Sequence, residues 1–297
     1  MKIRIGYGLG TASMTTDAAR FGVLVDNLER LGFDSLWLSE RVNGPALDPV
    51  VGMTFAIART ERLKVGASVM VLPGRNPVLL AKTMASLDRL SNGRLLPAFG
   101  LGIANAAEHQ AFGVERKERA AWFNEALPLM HRLWAEDSVT HHGERFRLDN
   151  ARVNPKPVQE PLEVWMGGAA PLELRRVGRY SDGWLPSFCT PSDVEEGIAA
   201  VNGHAAEAGR SIDPEHFGVL VAYTDGPIPE RFAEFAKRRK PDREVDEVIA
   251  TRDNLAERLT AFTEVGASKF VIVPLEEPQD WQAELEDMAE RVLPLEN

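Results

Sequence analysis

The chain has 297 residues, 44% of them apolar and 26% charged, with a formal charge of -10 at pH 7. That acidic balance excludes a nucleic-acid binder, which needs a basic face to neutralise phosphates, and no apolar run is long enough to span a bilayer. A single cysteine, Cys189, excludes an internal disulfide and a thiolate metal cluster.

The first residues run straight into a strand pattern without a signal-peptide core, so a cytoplasmic protein is expected. Ile3–Gly8 reads as a short apolar strand. Asp17–Leu31 reads as a helix, with Phe21, Val25, Leu28 and Leu31 at helical spacing and Gly32 as its stop. Ser35–Ser39 is the second strand and Pro49–Arg59 a nearly all-apolar helix. Val65–Leu72 is β-branched and apolar enough for a buried parallel strand, and Pro77–Leu90 is a helix opened by proline. Arg94–Leu101 is the fourth strand.

The alternation then pauses. Ala104–Gly113 and Ala120–Trp134 look helical, Val139–Leu148 looks like a hairpin turning near Gly143, and the prolines of Val153–Pro157 impose extended backbone. It resumes with strands at Leu162–Met166, Gly183–Pro186, Phe217–Tyr223 and Lys269–Val273. Helices at Pro171–Tyr180, Ser192–Ala208, Leu255–Val265 and Trp281–Val292 follow them in turn. Eight βα units predict one α/β domain over 1–297, a (β/α)8 TIM barrel with insertions after strand four and after strand seven. The later insertion, the charged stretch Pro229–Arg252, is either a lid over the mouth or a solvated surface excursion.

Sites in such barrels lie where strands run out into loops. At the end of strand two, Ser39-Glu40-Arg41 places a carboxylate and a guanidinium at the mouth, either to orient a ring or substrate or as a surface ion pair. Strand three leaves through Leu72-Pro73-Gly74-Arg75-Asn76-Pro77, where Arg75 either meets an anion or caps the turn. Asn92-Gly93 ends a helix through a left-handed residue, and Gly100-Leu101-Gly102 lets a ligand approach backbone at the end of strand four. It lacks the third glycine of a dinucleotide fingerprint. Gly167-Gly168-Ala169-Ala170-Pro171 leaves amides unpaired at a helix start, a phosphate site on physical grounds or a tight βα turn on structural ones. No His-x-His closes an early strand, so no metal is expected.

Together, Arg30–Trp37, Leu79–Arg94, Asn154–Gln159, Trp165–Gly168 and Ser181–Pro186 resemble the luciferase-like monooxygenase superfamily, in the right order from strand one through strand six. Leu72–Pro77, Gly266–Phe270 and Pro274 are most similar to a deazaflavin-dependent, actinobacterial branch. The resemblance implies a deazaflavin (coenzyme F420) or flavin ring at the mouth, supported by a non-proline cis peptide matching Ser68-Val69. It also implies a phosphate near Gly167-Gly168-Ala169 and a homodimer through helices two and three. The ring-contacting positions expected at this mouth are Ser39, Ser68, Val69, Met70, Leu101 and Gly102; Glu40 and Arg41, read from their place at the end of strand two, are the catalytic candidates.

Two departures matter. Arg41 stands where many members have histidine, and Ile103 stands where the sugar-phosphate dehydrogenases of the group carry a carboxylate. Sugar-phosphate oxidation is therefore not expected. The expected activity is hydride transfer between F420 and a small organic substrate, with the cofactor carrying the chemistry. The alternatives are an FMN-dependent monooxygenase fed by a separate reductase and a barrel that binds the ring without catalysis.

Overall fold

The computed structural model describes residues 1–297. In chain order it runs β1 (Arg4–Leu9), α1 (Ala18–Leu31), β2 (Ser35–Leu38), α2 (Pro49–Arg59), β3 (Lys64–Ala67), β4 (Met70–Val71), α3 (Pro77–Ser91), β5 (Leu95–Leu96) and β6 (Ala98–Gly100). Then come α4 (Ala106–Phe112), α5 (Arg119–Ala135), β7 (Val139–His142), β8 (Arg147–Ala151), β9 (Trp165–Met166), α6 (Pro171–Tyr180), β10 (Gly183–Trp184) and α7 (Pro191–Glu207). The chain finishes with β11 (Gly218–Thr224), α8 (Glu230–Arg239), α9 (Val245–Val248), β12 (Ala250–Thr251), α10 (Leu255–Glu264), β13 (Lys269–Pro274) and α11 (Trp281–Val292).

Helix boundaries follow local chemistry. Asp17, Asp48 and Asn76 accept backbone amides at the starts of α1, α2 and α3, satisfying donors that have no partner inside a helix. Gly32 (φ 88°) ends α1 and Asn92 (φ 56°) ends α3, both in the left-handed conformation expected of such stops.

Two parallel sheets result, ordered β12-β11-β13-β1-β2-β3-β5 and β10-β9-β6-β4. The expected third strand is divided at Ser68-Val69 into β3 and β4, and the expected fourth at Pro97 into β5 and β6. Each pair contributes one half to each sheet. Parallel bridges Trp184–Phe217 and Ser187–Leu220 join the second sheet to the β11 side of the first. The antiparallel pair β7–β8 forms the expected hairpin, with the Gly143 amide donating to the Phe146 carbonyl at 2.9 Å. The expected strand Leu162–Met166 shortens to Trp165–Met166. The charged stretch Pro229–Arg252, given no elements from sequence, contains α8, α9 and β12.

The main core lies between sheet and helices. A second cluster fills the inside of the sheets, where the Trp37 and Trp165 rings meet edge-on at 6.5 Å. Glycine is required beside them, because a Cβ on Gly66 would stand 2.7 Å from the Trp37 ring. No helix is long and apolar enough to cross a membrane.

Candidate active site at the strand ends

At the exit of β2 the Glu40 side chain turns inward and keeps only 3% of its exposure. It accepts the Val71 amide at 2.7 Å and pairs with the Arg75 guanidinium, whose Nε donates to the Val71 carbonyl at 2.9 Å. Burial pushes the Glu40 carboxyl up, against the pull of Arg75 and the Val71 amide. Both oxygens are thus committed, and the carboxylate fixes the course of β4. Arg75 combines its two sequence readings: it meets an anion, the Glu40 carboxylate, and it caps its own turn at the Val71 carbonyl. The surface pair of Glu40 with Arg41 does not form; Arg41 is half-buried and has no ion-pair partner within 4 Å.

Across from β2, the Ser39 hydroxyl lies 3.1 Å from the Ser68 carbonyl and 3.2 Å from the Ser68 hydroxyl. The Ser68-Val69 peptide is cis. Val69 then becomes the meeting point of three strand exits. A Cβ on Gly100 would stand 2.7 Å from its Cγ2, and one on Gly167 would stand 3.5 Å from its Cγ1. Met70, expected against the ring, is wholly buried, backbone included, and offers no surface to a ligand.

The exit of β6 is held by a residue that the sequence reading passed over. Arg119, the first residue of α5, donates through Nη1 to the carbonyls of Leu101, Gly102 and Ile103 at 2.9, 3.0 and 2.8 Å. Gly102 adopts φ 79°, and a Cβ there would press on the Val71 methyls at 3.1 Å. Glu108, also passed over, is buried and accepts the amides of Val42 and Asn43 at 3.3 and 2.9 Å, tying the β2 exit loop to α4. Neither partner set is local, so periodicity offered no signal for either residue.

After β9 the expected row of unpaired amides is only half present. No backbone or side-chain acceptor pairs with the Gly167 and Gly168 amides, but Glu173 Oε2 accepts those of Ala169 and Ala170, both at 3.1 Å. The chain's own carboxylate therefore occupies part of the anion-attracting helix start. A glutamate three residues past the N-cap was the readable signal for this. Arg176, which follows the turn, points away from it to Asn124 at 2.9 Å.

The insertion after β11 packs over neighbouring exits. Phe235 of α8 meets Phe188, beyond β10, at 5.2 Å, and Leu275, beyond β13, joins the same small cluster. Arg252 closes the insertion with bonds to Asp225, Glu284 and Asp287.

A family model described as luciferase-like monooxygenase matches residues 2–227. An F420-dependent glucose-6-phosphate dehydrogenase of Intrasporangium calvum is 36% identical over 60% of this chain and 57% of its own length. Limonene 1,2-monooxygenase of Rhodococcus erythropolis is 31% identical over 64% of this chain and 51% of its own length, so the chain spans about half of each of these relatives. Among solved structures, an F420-dependent secondary alcohol dehydrogenase in complex with an F420–acetone adduct superposes with a TM-score of 0.81. It is 22% identical, and the match covers 100% of both chains.

Proposed function

The chain belongs to the luciferase-like monooxygenase family, and within it we propose an oxidoreductase that transfers hydride between coenzyme F420 and a small organic substrate. The convergence at Val69 carries this reading. Gly100 and Gly167 close on the half-buried Val69 side chain, so a flat ring resting against Val69 would adjoin two open amides for its anionic tail.

The residues suit such a guest. Ser39, Ser68 and Val69 would border the ring on one side, with Leu101 and Gly102 on the other, while Met70 lies buried behind them. The Gly167 and Gly168 amides would receive the tail, while the Ala169 amide is already engaged by Glu173. When bound, the deazaflavin supplies the hydride-accepting or hydride-donating carbon. Arg41, half-buried without an anion, is placed to meet negative charge on the substrate. Glu40 supports the site by holding Val71. The reading also takes the two sheets and their bridges as one closed (β/α)8 barrel over 1–297, with insertions after its fourth and seventh strands. It assigns homodimerisation to α2 and α3, where Val51 and Leu79 stand exposed.

Titration of the purified protein with F420 and with FMN, followed by turnover with and without oxygen, tests the reading. Tighter binding of F420 and oxygen-independent bleaching by a substrate are expected. Preference for FMN with oxygen-dependent turnover would instead identify a monooxygenase supplied by a reductase. Binding without turnover by any substrate would leave a non-catalytic carrier.

A further inference from the structure

Arg119 is a buried cation, 8% exposed, with no carboxylate in ion-pair range. Burial lowers its pKa, and Arg116 pushes in the same direction. Its Nε is buried without a partner. Such a charge is costly unless something compensates it. Here the compensation comes from three consecutive carbonyl dipoles, those of Leu101, Gly102 and Ile103, all bonded to one nitrogen.

Those carbonyls belong to the loop that leaves β6 directly after Gly100. The loop lies against Val71, whose amide is held by Glu40. Two buried groups of opposite charge therefore hold the two backbones that meet here, Glu40 that of Val71 and Arg119 that of Gly102. Gly102, in the left-handed region, contributes no side chain to fix the loop. Within the loop, the carbonyl of Gly100 accepts the Leu72 amide, and that of Ile103 accepts the Asn105 amide. Between them the path of Leu101 and Gly102 depends on Arg119.

We propose that Arg119 is a positioning residue for the redox ring. It holds the Leu101–Ile103 backbone at the depth where a flat ring can lie along it, so ring affinity and the ring's surroundings depend on it. This rests on the ring-binding reading above. Because every bond leaves one nitrogen, an ammonium brought near the same place replaces much of the function, while an uncharged chain of similar bulk does not.

The test compares Arg119→Met and Arg119→Lys with Leu133→Ala, a core truncation on the same helix. Dissociation constants for F420 and FMN, the absorption maximum of the bound ring and the melting temperature are measured for each. Arg119→Met is expected to weaken ring binding by roughly tenfold and shift the bound-ring spectrum, and Arg119→Lys to recover most of both. Leu133→Ala is expected to lower the melting temperature with affinity intact. Arg119→Gln takes the place of Arg119→Met if the latter does not fold. Unchanged affinity in Arg119→Met, equal weakening in Leu133→Ala, or a lysine variant no better than methionine would overturn the inference. A wild-type protein that binds neither ring sinks the cofactor reading itself, and this inference with it.

Discussion

The Glu40 carboxylate and the Arg75 guanidinium form a buried ion pair across the exits of β2 and β4, and the same carboxylate accepts the Val71 amide at 2.7 Å. Two residues 35 positions apart thus fix the backbone that runs on from the cis peptide. Removing one member of a buried pair strands the other, which costs several kcal/mol; Arg75 keeps 26% exposure, which softens the loss. Glu40→Ala is expected to lower unfolding free energy by about 2–3 kcal/mol in urea titrations. Glu40→Gln, which keeps an acceptor for Val71, should cost less. Equal losses in the two variants would mean that the Val71 bond contributes nothing.

Asp34 sits at the opposite end of the strands, between Lys269 and Lys64, the latter at 2.9 Å. Burial raises its carboxyl, but the two ammonium groups outweigh burial and hold it at about 2, against an ordinary 3.8. Burial pulls Lys269 down even with Asp34 beside it, so the stabilising titration in this cluster is the carboxylate's. A depressed acid contributes stability above its unfolded pKa and loses it as pH falls through the folded one. Stability should therefore drop by about 2 kcal/mol between roughly pH 4 and pH 2. Asp34→Asn should remove that slope while costing stability at neutral pH. A slope that survives the substitution would refute the assignment.

Glu173 competes with any anion brought to the Gly167–Ala170 turn. Glu173→Gln keeps an oxygen for the Ala169 and Ala170 amides and removes the charge. It should tighten FMN relative to riboflavin, which shares the ring and lacks the phosphate, by about three- to tenfold, of the order of 1 kcal/mol. An unaltered FMN-to-riboflavin ratio in binding titrations would place the phosphate elsewhere.

Gly100 faces Val69 with no room for a methyl group, since a Cβ would stand 2.7 Å from Val69 Cγ2. Gly100→Ala must displace Val69 or the β6 backbone, an overpacking cost of about 1–3 kcal/mol. A lower melting temperature and weaker ring binding should appear together. Intact affinity would show that Val69 does not border the ring.

Arg41→Ala should raise KM for an anionic substrate more than it lowers kcat, because the charge acts on bound and reacting substrate alike. Unchanged kinetics with such a substrate would remove Arg41 from the site.

Much of this protein was written in short stretches of chain. The caps at Asp17, Asp48 and Asn76, the left-handed stops at Gly32 and Asn92, and the alternation of strand and helix all rest on chemistry within a few residues of each position. The strand-end loops that converge on Val69 were likewise legible, because the order of elements places them at one end of a parallel sheet. What local sequence could not decide was the partner of each charged group. Glu40 meets Arg75 and not its neighbour Arg41, Arg119 reaches back across 16 to 18 residues, and Glu108 bonds to Asn43 across 65. An ion or hydrogen-bonding group chooses among whatever the packed chain brings within about 3 Å, and that choice exists only once the core has closed. Secondary structure follows from neighbours in sequence, whereas the electrostatics of the site follow from neighbours in space.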